Sequence, residues 1–483
     1  MTILDGSNAD IERLRDAIDA AWEEARKFGL DPFPTHFELV PASIMYEFAS
    51  YGLPGRFSHW TFGKAYYRQK MQYDFGLSKI YEMVVNTNPS YAFLMEMNNL
   101  LQNTFVAAHV FGHTDFFKNN AYFQHTSRRM IDKVSINAER IAKYEFDHGK
   151  DAVEHYLDAA LSIQEHVDYN LLLREDEPEK EEKPKGGPTT EYDDLWGLEQ
   201  RMLRAEEERE LRPGRPPKFP EKPEKDLLLF LMRYAPHLHE WQRDILEIVR
   251  SEMLYFVPQM QTKTMNEGWA SIWHSRIMRE LADRGVISNA EMLEFAQLHS
   301  SVLSPSRVSL NPYYIGYKVL EDIERRWDNP TREEQDRLGR KPGKGREKLF
   351  EVREMENDVS FLRNYLTEDL IKDLDLYLYK KEGDEWVIVE KDWRKVRDMI
   401  VANMTNFGNP YLVVDNGDYR GNRELYLRHM YEGQELDLNY AEKTLQHVYL
   451  IWGRPVHLET MYDNKRILLT YDGERNSKST LEK

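Results

Sequence analysis

The sequence predicts a multidomain protein, with a mainly α-helical N-terminal domain over residues 8–330 and a smaller α+β domain over 355–475. Three observations carry this. Apolar residues recur every three to four positions up to about residue 330, and beyond about 370 they gather in short β-rich runs. The chain has 483 residues, more than one hydrophobic core usually holds.

In chain order, Ile11, Leu14, Ile18 and Trp22 share one face of an opening helix, and Ala138, Ile141 and Ala142 repeat the spacing. Glu82 and Glu96 are expected on helical segments just before a helix carrying His109 and His113. Asp151-Ala-Val-Glu154 and Ser288-Asn-Ala-Glu291 have the form of helix N-terminal caps, the first for a helix ending near His166. Pro236 should end a helix begun near Asp226, with a fresh one from about His237 to Tyr255. Residues 174–224 read as an exposed, mobile insertion: a run of charge and proline from Arg174 to Lys185, a short charged helix over 195–211, then five prolines. So little apolar surface cannot offset the ordering entropy. Arg340-Lys-Pro-Gly-Lys-Gly-Arg346 marks a linker over 331–354, and its Gly343-Lys-Gly lacks the rest of a phosphate-loop pattern. Strands are expected at 386–389, 411–414, 425–427 and 466–471, with helices at 393–404 and 438–452 between them. That describes a mostly antiparallel sheet packed on two helices. His429, His447 and His457 lack ligand spacing, so binding or scaffolding is the expected role of this domain.

Composition narrows the function classes. A net charge of −18 disfavours nucleic acid or an anionic membrane as a general partner. The absence of cysteine excludes disulfides, thiol catalysis and thiolate ligands, so a metal would need His, Asp and Glu. Leu227–Met232, the most apolar run, is cut short by Arg233 and Pro236, far below the ~20 residues of a membrane span. The N-terminus has neither a basic nor an apolar signal region, and a cytoplasmic location is expected.

The chemistry centres on His109 and His113, four apart in an apolar helical run and therefore on one helix face. Such a pair can hold one metal ion, as in H-E-x-x-H helices, although Val110 stands where that motif has its general base. Glu267 and His274 share a face of a second helix. Two histidines plus a distant glutamate form a thermolysin-like ligand set, with His274 as a fourth ligand or close support. Zinc suits these donors, and iron or manganese share them. A base must then come from outside the motif, with Glu96 and Glu82 as candidates. Asp115 should point away from this face, while Asn119, Asn120 and His125 follow directly on the helix. Glu145-Phe-Asp-His148 supplies one E-x-x-H where a di-iron bundle needs two, and His155 and His166 share the face of a later helix. Trp269, Trp273, Phe116 and Phe117 read as core.

Long runs resemble the SpoVR (stage V sporulation protein R) family. They include Ile80-Tyr-Glu-Met-Val-Val-Asn-Thr-Asn-Pro-Ser-Tyr-Ala-Phe-Leu-Met-Glu96, His109–Asn120, Met265–His274, Leu310-Asn-Pro-Tyr-Tyr-Ile-Gly316, Glu321–Asp328 and Leu450-Ile-Trp-Gly-Arg-Pro455. The resemblance spans nearly the whole chain outside 174–224. It implies an association with sporulation and spore-cortex formation and, as partner, a serine protein kinase, but no defined biochemical activity. Two functions therefore stand: a metal-dependent hydrolase of peptide or amide bonds, acting on peptides or cell-wall precursors, and a non-catalytic regulatory scaffold.

Overall fold

The computed structural model describes residues 8–74, 82–170, 218–305, 310–382 and 385–481. Most of the expected insertion, 174–217, lies outside them. The chain forms two compact units, Met1–Lys150 with Leu254–Asn409, and Asp151–Met253 with Pro410–Lys483.

The first unit is built around the histidine helix, Leu100–Asn119. This helix has almost no polar face: from Thr104 to Phe117 every residue is buried, as expected of a helix enclosed on all sides. Asn99 and Gln102 close its N-terminus as a capping box. Around it pack the helices Asn8–Lys27, Lys263–Asp283 (the glutamate helix) and Asn289–Val302, which in turn meet Pro312–Asp328 and Gly345–Met355. A three-stranded sheet also lies against it, formed by β1 (Thr35–Val40), β2 (Glu82–Val85) and β3 (Ser90–Met95) in the order β1-β3-β2. β1 runs parallel and β2 antiparallel to β3.

That sheet corrects the expectation of helix throughout this region. Glu82 opens β2, and Glu96 follows β3 in a turn. The reason is local: Val84-Val85 favours a strand, and Asn86-Thr-Asn-Pro89 supplies the turn between two antiparallel strands.

The stretch expected as linker contains the helices Arg332–Leu338 and Gly345–Met355, and Leu349 and Val352 are buried in the first unit's core. Residues up to 409 stay with this unit. The helix Trp393–Met404 has the expected bounds but packs on Asp358–Tyr365 and buries Val396 and Ile400 in the same core. A two-stranded hairpin, β4 (Leu378–Glu382) and β5 (Glu385–Glu390), precedes it.

The second unit combines the helices Lys150–Leu161 and Leu227–Tyr234 with a five-stranded sheet. Its strands are β6 (Leu412–Tyr419), β7 (Glu424–His429), β8 (Val456–Tyr462), β9 (Lys465–Tyr471) and β10 (Asn476–Thr480), ordered β10-β9-β8-β7-β6. All pairs are antiparallel except β7 with β8. That parallel pair needs a crossover, which the helix Leu438–Trp452 supplies while packing on β8 and β9. Among the described residues of 151–253, the helix Leu227–Tyr234 packs on β6, its Phe230 stacks on Trp452 of the crossover helix, and Glu224 bridges to Val414. Among the described residues no helix is long and apolar enough to cross a membrane.

Candidate metal centre

Two close helix crossings assemble the centre. A Cβ added to Gly112 on the histidine helix would lie 2.6 Å from Cα of Ala270. A Cβ on Gly268 would lie 2.3 Å from the carbonyl carbon of Gly316 on the helix Pro312–Asp328. Backbones therefore touch at both points, which only glycine permits. Gly112 lies between His109 and His113, while Gly268 adjoins Glu267, so the crossings bring ligand-type side chains of separate helices together. Asp358 fixes the end of the glutamate helix by accepting the amides of Thr264 at 2.7 Å and Met265 at 2.9 Å.

Four side chains converge: Glu82, His109, His113 and Glu267, whose ligating atoms all lie within 4.8 Å of one another. Glu82 Oε1 is 3.2 Å from His109 Nε2 and 3.8 Å from His113 Nε2. Glu267 Oε2 is 3.5 Å from each of the two Nε2 atoms. A tetrahedral ion with bonds of ~2.1 Å needs donors about 3.4 Å apart. Moreover, His109 Nε2 and Glu267 Oε2 are buried without a hydrogen-bond partner of acceptable geometry. Such atoms are costly unless something satisfies them, and a cation between them would. The residues fit a metal.

The surrounding bonds orient both imidazoles. His113 Nδ1 donates to Asn266 Oδ1 at 2.9 Å, leaving Nε2 to face the cluster. His109 Nδ1 meets His274 Nδ1 at 2.7 Å, and His274 Nε2 meets His299 Nδ1 at 2.8 Å. Tyr313 stacks on His109, with ring centres 6.0 Å apart, and its phenol feels the charges of Glu267 and Glu82. Burial, followed by the charges of Glu267 and Glu82, holds that phenol protonated far above its ordinary range.

Electrostatics favour positive charge in the cluster. Burial opposes a charged His109, yet Glu82 and then Glu267 outweigh it and push the imidazole up to about 9. Burial likewise opposes ionisation of Glu82, but His109 and His113 hold it well below the usual carboxylate range. His274 is driven far down by burial and by neighbouring His109, and His299 falls to about 4 through burial and then Arg279. The two carboxylates thus favour positive charge at the point where a cation would sit.

His109 and His113 share one helix face, as their spacing predicts, and Glu267 from the second helix meets them. Glu82, read as a base, stands among the converging donors and reaches them from β2 rather than from a helix. His274, read as a fourth ligand or close support, is not one of the four: both its nitrogens are engaged, and it stands behind His109. Glu96 is exposed and outside the cluster. Asp115 is turned away from the cluster and buried, binding Trp269 Nε1, Arg353 and the Asp31 amide. Asn119 and Asn120 bond backbone carbonyls, and His125 is exposed. His148 is exposed at a helix end, and among the described residues no second His/Asp/Glu cluster of this kind occurs. Sequence reasoning missed Asn266, His299 and Tyr313. Asn266 adjoins Glu267, a usable hint, whereas no spacing ties Tyr313 or His299 to the histidine pair.

Fold and site together define a helical unit that carries a two-histidine, two-glutamate cluster, and a second unit that carries a five-stranded sheet. Residues 8–409 match the family described as SpoVR like protein, and 410–463 match the SpoVR-like C-terminal domain. The chain belongs to the SpoVR family. It is similar to the uncharacterized protein YcgB of Escherichia coli (strain K12), 31% identical over 513 residues covering 97% of this chain and 98% of that protein. No solved structure matches. The junction between the two family matches, 409/410, is also a boundary of the compact units.

Proposed function

We propose that this chain is a cytoplasmic metal-dependent hydrolase of peptide or amide bonds. His109, His113 and Glu267 would hold the ion, with zinc the first choice for such nitrogen and oxygen donors and iron or manganese next. The observation that carries this is the pair of unsatisfied buried atoms, His109 Nε2 and Glu267 Oε2, facing each other at 3.5 Å. When bound, zinc supplies a Lewis acid that polarises a carbonyl. Glu82 would take the proton of an attacking water, and the Tyr313 hydroxyl would donate to the oxygen that gains charge. Small peptides, cell-wall precursors or a protein partner are the substrates a cytoplasmic enzyme could reach.

A second reading rests on Glu82 itself. Counted as a ligand, it completes four protein donors, the closed set of structural sites. The chain would then be a regulatory scaffold, with a serine protein kinase as candidate partner.

Elemental analysis of protein purified without chelator, followed by a Glu82→Gln variant, separates these. The enzyme reading expects about one ion per chain, kept in the variant while hydrolysis of a peptide library is lost. Loss of both metal and stability in the variant would favour the scaffold. Metal content unchanged in a His109→Ala, His113→Ala double variant would end both.

A further inference from the structure

The cluster has an outer layer that hydrolysis does not itself require. Three imidazoles stand in series, His109, His274 and His299, linked nitrogen to nitrogen at 2.7 and 2.8 Å. The first two are buried, and the third is partly exposed on the helix Asn289–Val302. Phe105 lies edge-on to His274 at 4.6 Å, Phe295 stacks on His299 at 5.6 Å, and Tyr317 lies edge-on to His299 at 5.7 Å. The line of nitrogens therefore passes between aromatic walls, so each inner ring relies on its neighbours for hydrogen bonds.

A neutral imidazole has one N–H and one lone pair, so a bond at one nitrogen dictates the role of the other. Asn266 Oδ1 can only accept, which settles His113 by itself. His109 has no such arbiter, because its neighbour is another histidine that can donate or accept. The next ring must decide. If His274 donates from Nε2 to His299 Nδ1, its own Nδ1 accepts, His109 Nδ1 donates, and His109 Nε2 presents a lone pair or an exchangeable proton to the cluster. The reversed chain would place an N–H permanently at Nε2 and a bare nitrogen at Nδ1, which opposes a ligand.

We infer that His274 and His299 are positioning residues of the metal centre, a hydrogen-bonded chain that sets from a neighbouring helix which nitrogen His109 offers to the ion. The inference rests on the metal-binding reading for its purpose, though the polarity of the chain can be measured without any ion. It makes the helix Asn289–Val302, which supplies no ligand, part of the centre.

The test uses the full chain labelled with nitrogen-15, with zinc as the probe. Ring nitrogen shifts of the wild type, with and without zinc, should show His274 protonated at Nε2 and His109 protonated at Nδ1. A His274 protonated at Nδ1 overturns the inference. In chelator competition, His274→Phe should bind zinc at least about tenfold more weakly, the usual scale for an outer-layer partner of a ligand histidine. His299→Phe should weaken zinc binding less and hasten its release, and His299→Gln, which restores an acceptor, should recover wild-type behaviour. Zinc affinity equal to wild type in both phenylalanine variants also overturns it. If His274→Phe does not fold, the wild-type shifts and the His299 pair decide alone. A wild type that binds no zinc defeats the metal-centre reading, while the shifts still judge the chain.

Discussion

Both units bury histidines against glutamates, and they do so to opposite effect. In the sheet unit, His457 Nε2 meets one carboxylate, Glu424, at 2.9 Å, and its Nδ1 bonds Thr470 Oγ1 at 2.8 Å. Every nitrogen has a partner, burial outweighs the lone carboxylate, and the imidazole is pushed below its ordinary value. In the helical unit, His109 faces two carboxylates, its Nε2 lacks a properly placed partner, and its imidazole is raised. Burial of a histidine is therefore not the mark of a site. Convergence of several donors on a point that none of them satisfies is.

Glycine replacements test this contrast most severely. Gly268→Ala forces a Cβ into the Gly316 backbone, so we expect a loss of ~3 kcal/mol or more in denaturant unfolding, together with weaker zinc uptake as Glu267 shifts. Gly421→Ala in the sheet unit meets nothing within 4 Å but sits at a φ of +71°. It should cost only the about 1–2 kcal/mol of a left-handed residue and leave zinc binding unchanged. Equal losses would remove the special status of the helix crossing.

The units should also respond oppositely to pH. In the sheet unit, burial and then Lys225 and His429 push His166 down to about 4. A depressed histidine stabilises the fold while neutral, so on the order of 3 kcal/mol should be lost as pH falls from about 6.5 to about 4. In the metal-free helical unit, His109 is raised to about 9, and its contribution is present below pH 6.5 and lost as pH rises through about 9. Urea unfolding across pH, compared with His166→Gln and His109→Gln, reads the two slopes. A His166→Gln profile with the wild-type acid slope would refute the first half.

Helix caps provide the smallest contrast, because both units use them in the same way. Ser288 accepts from Glu291 in the helical unit, and Asp437 accepts from Asn439 and Tyr440 in the sheet unit. Alanine at either position should cost about 1 kcal/mol with no change in zinc affinity. A zinc effect from Ser288→Ala would extend the centre further along the helix that carries His299.

The sequence by itself determined the local features. Four-residue spacing put His109 and His113 on one face, the cap at Ser288 was readable, and the helices Trp393–Met404 and Leu438–Trp452 have the expected bounds. Strand β3 was hidden because it is buried almost throughout, which erases the alternation that announces a strand. With it went the strand origin of Glu82. Tertiary structure alone decided the rest: that Glu82 converges with the ligand-type atoms, that His274 takes the supporting place and not the ligand place, and that Tyr313 and His299 complete the surroundings. The physical reason is range. Periodicity and capping report on neighbours within a turn or two, whereas His109 and His274 meet across 165 positions, at crossings fixed by glycines whose contacts no local pattern records.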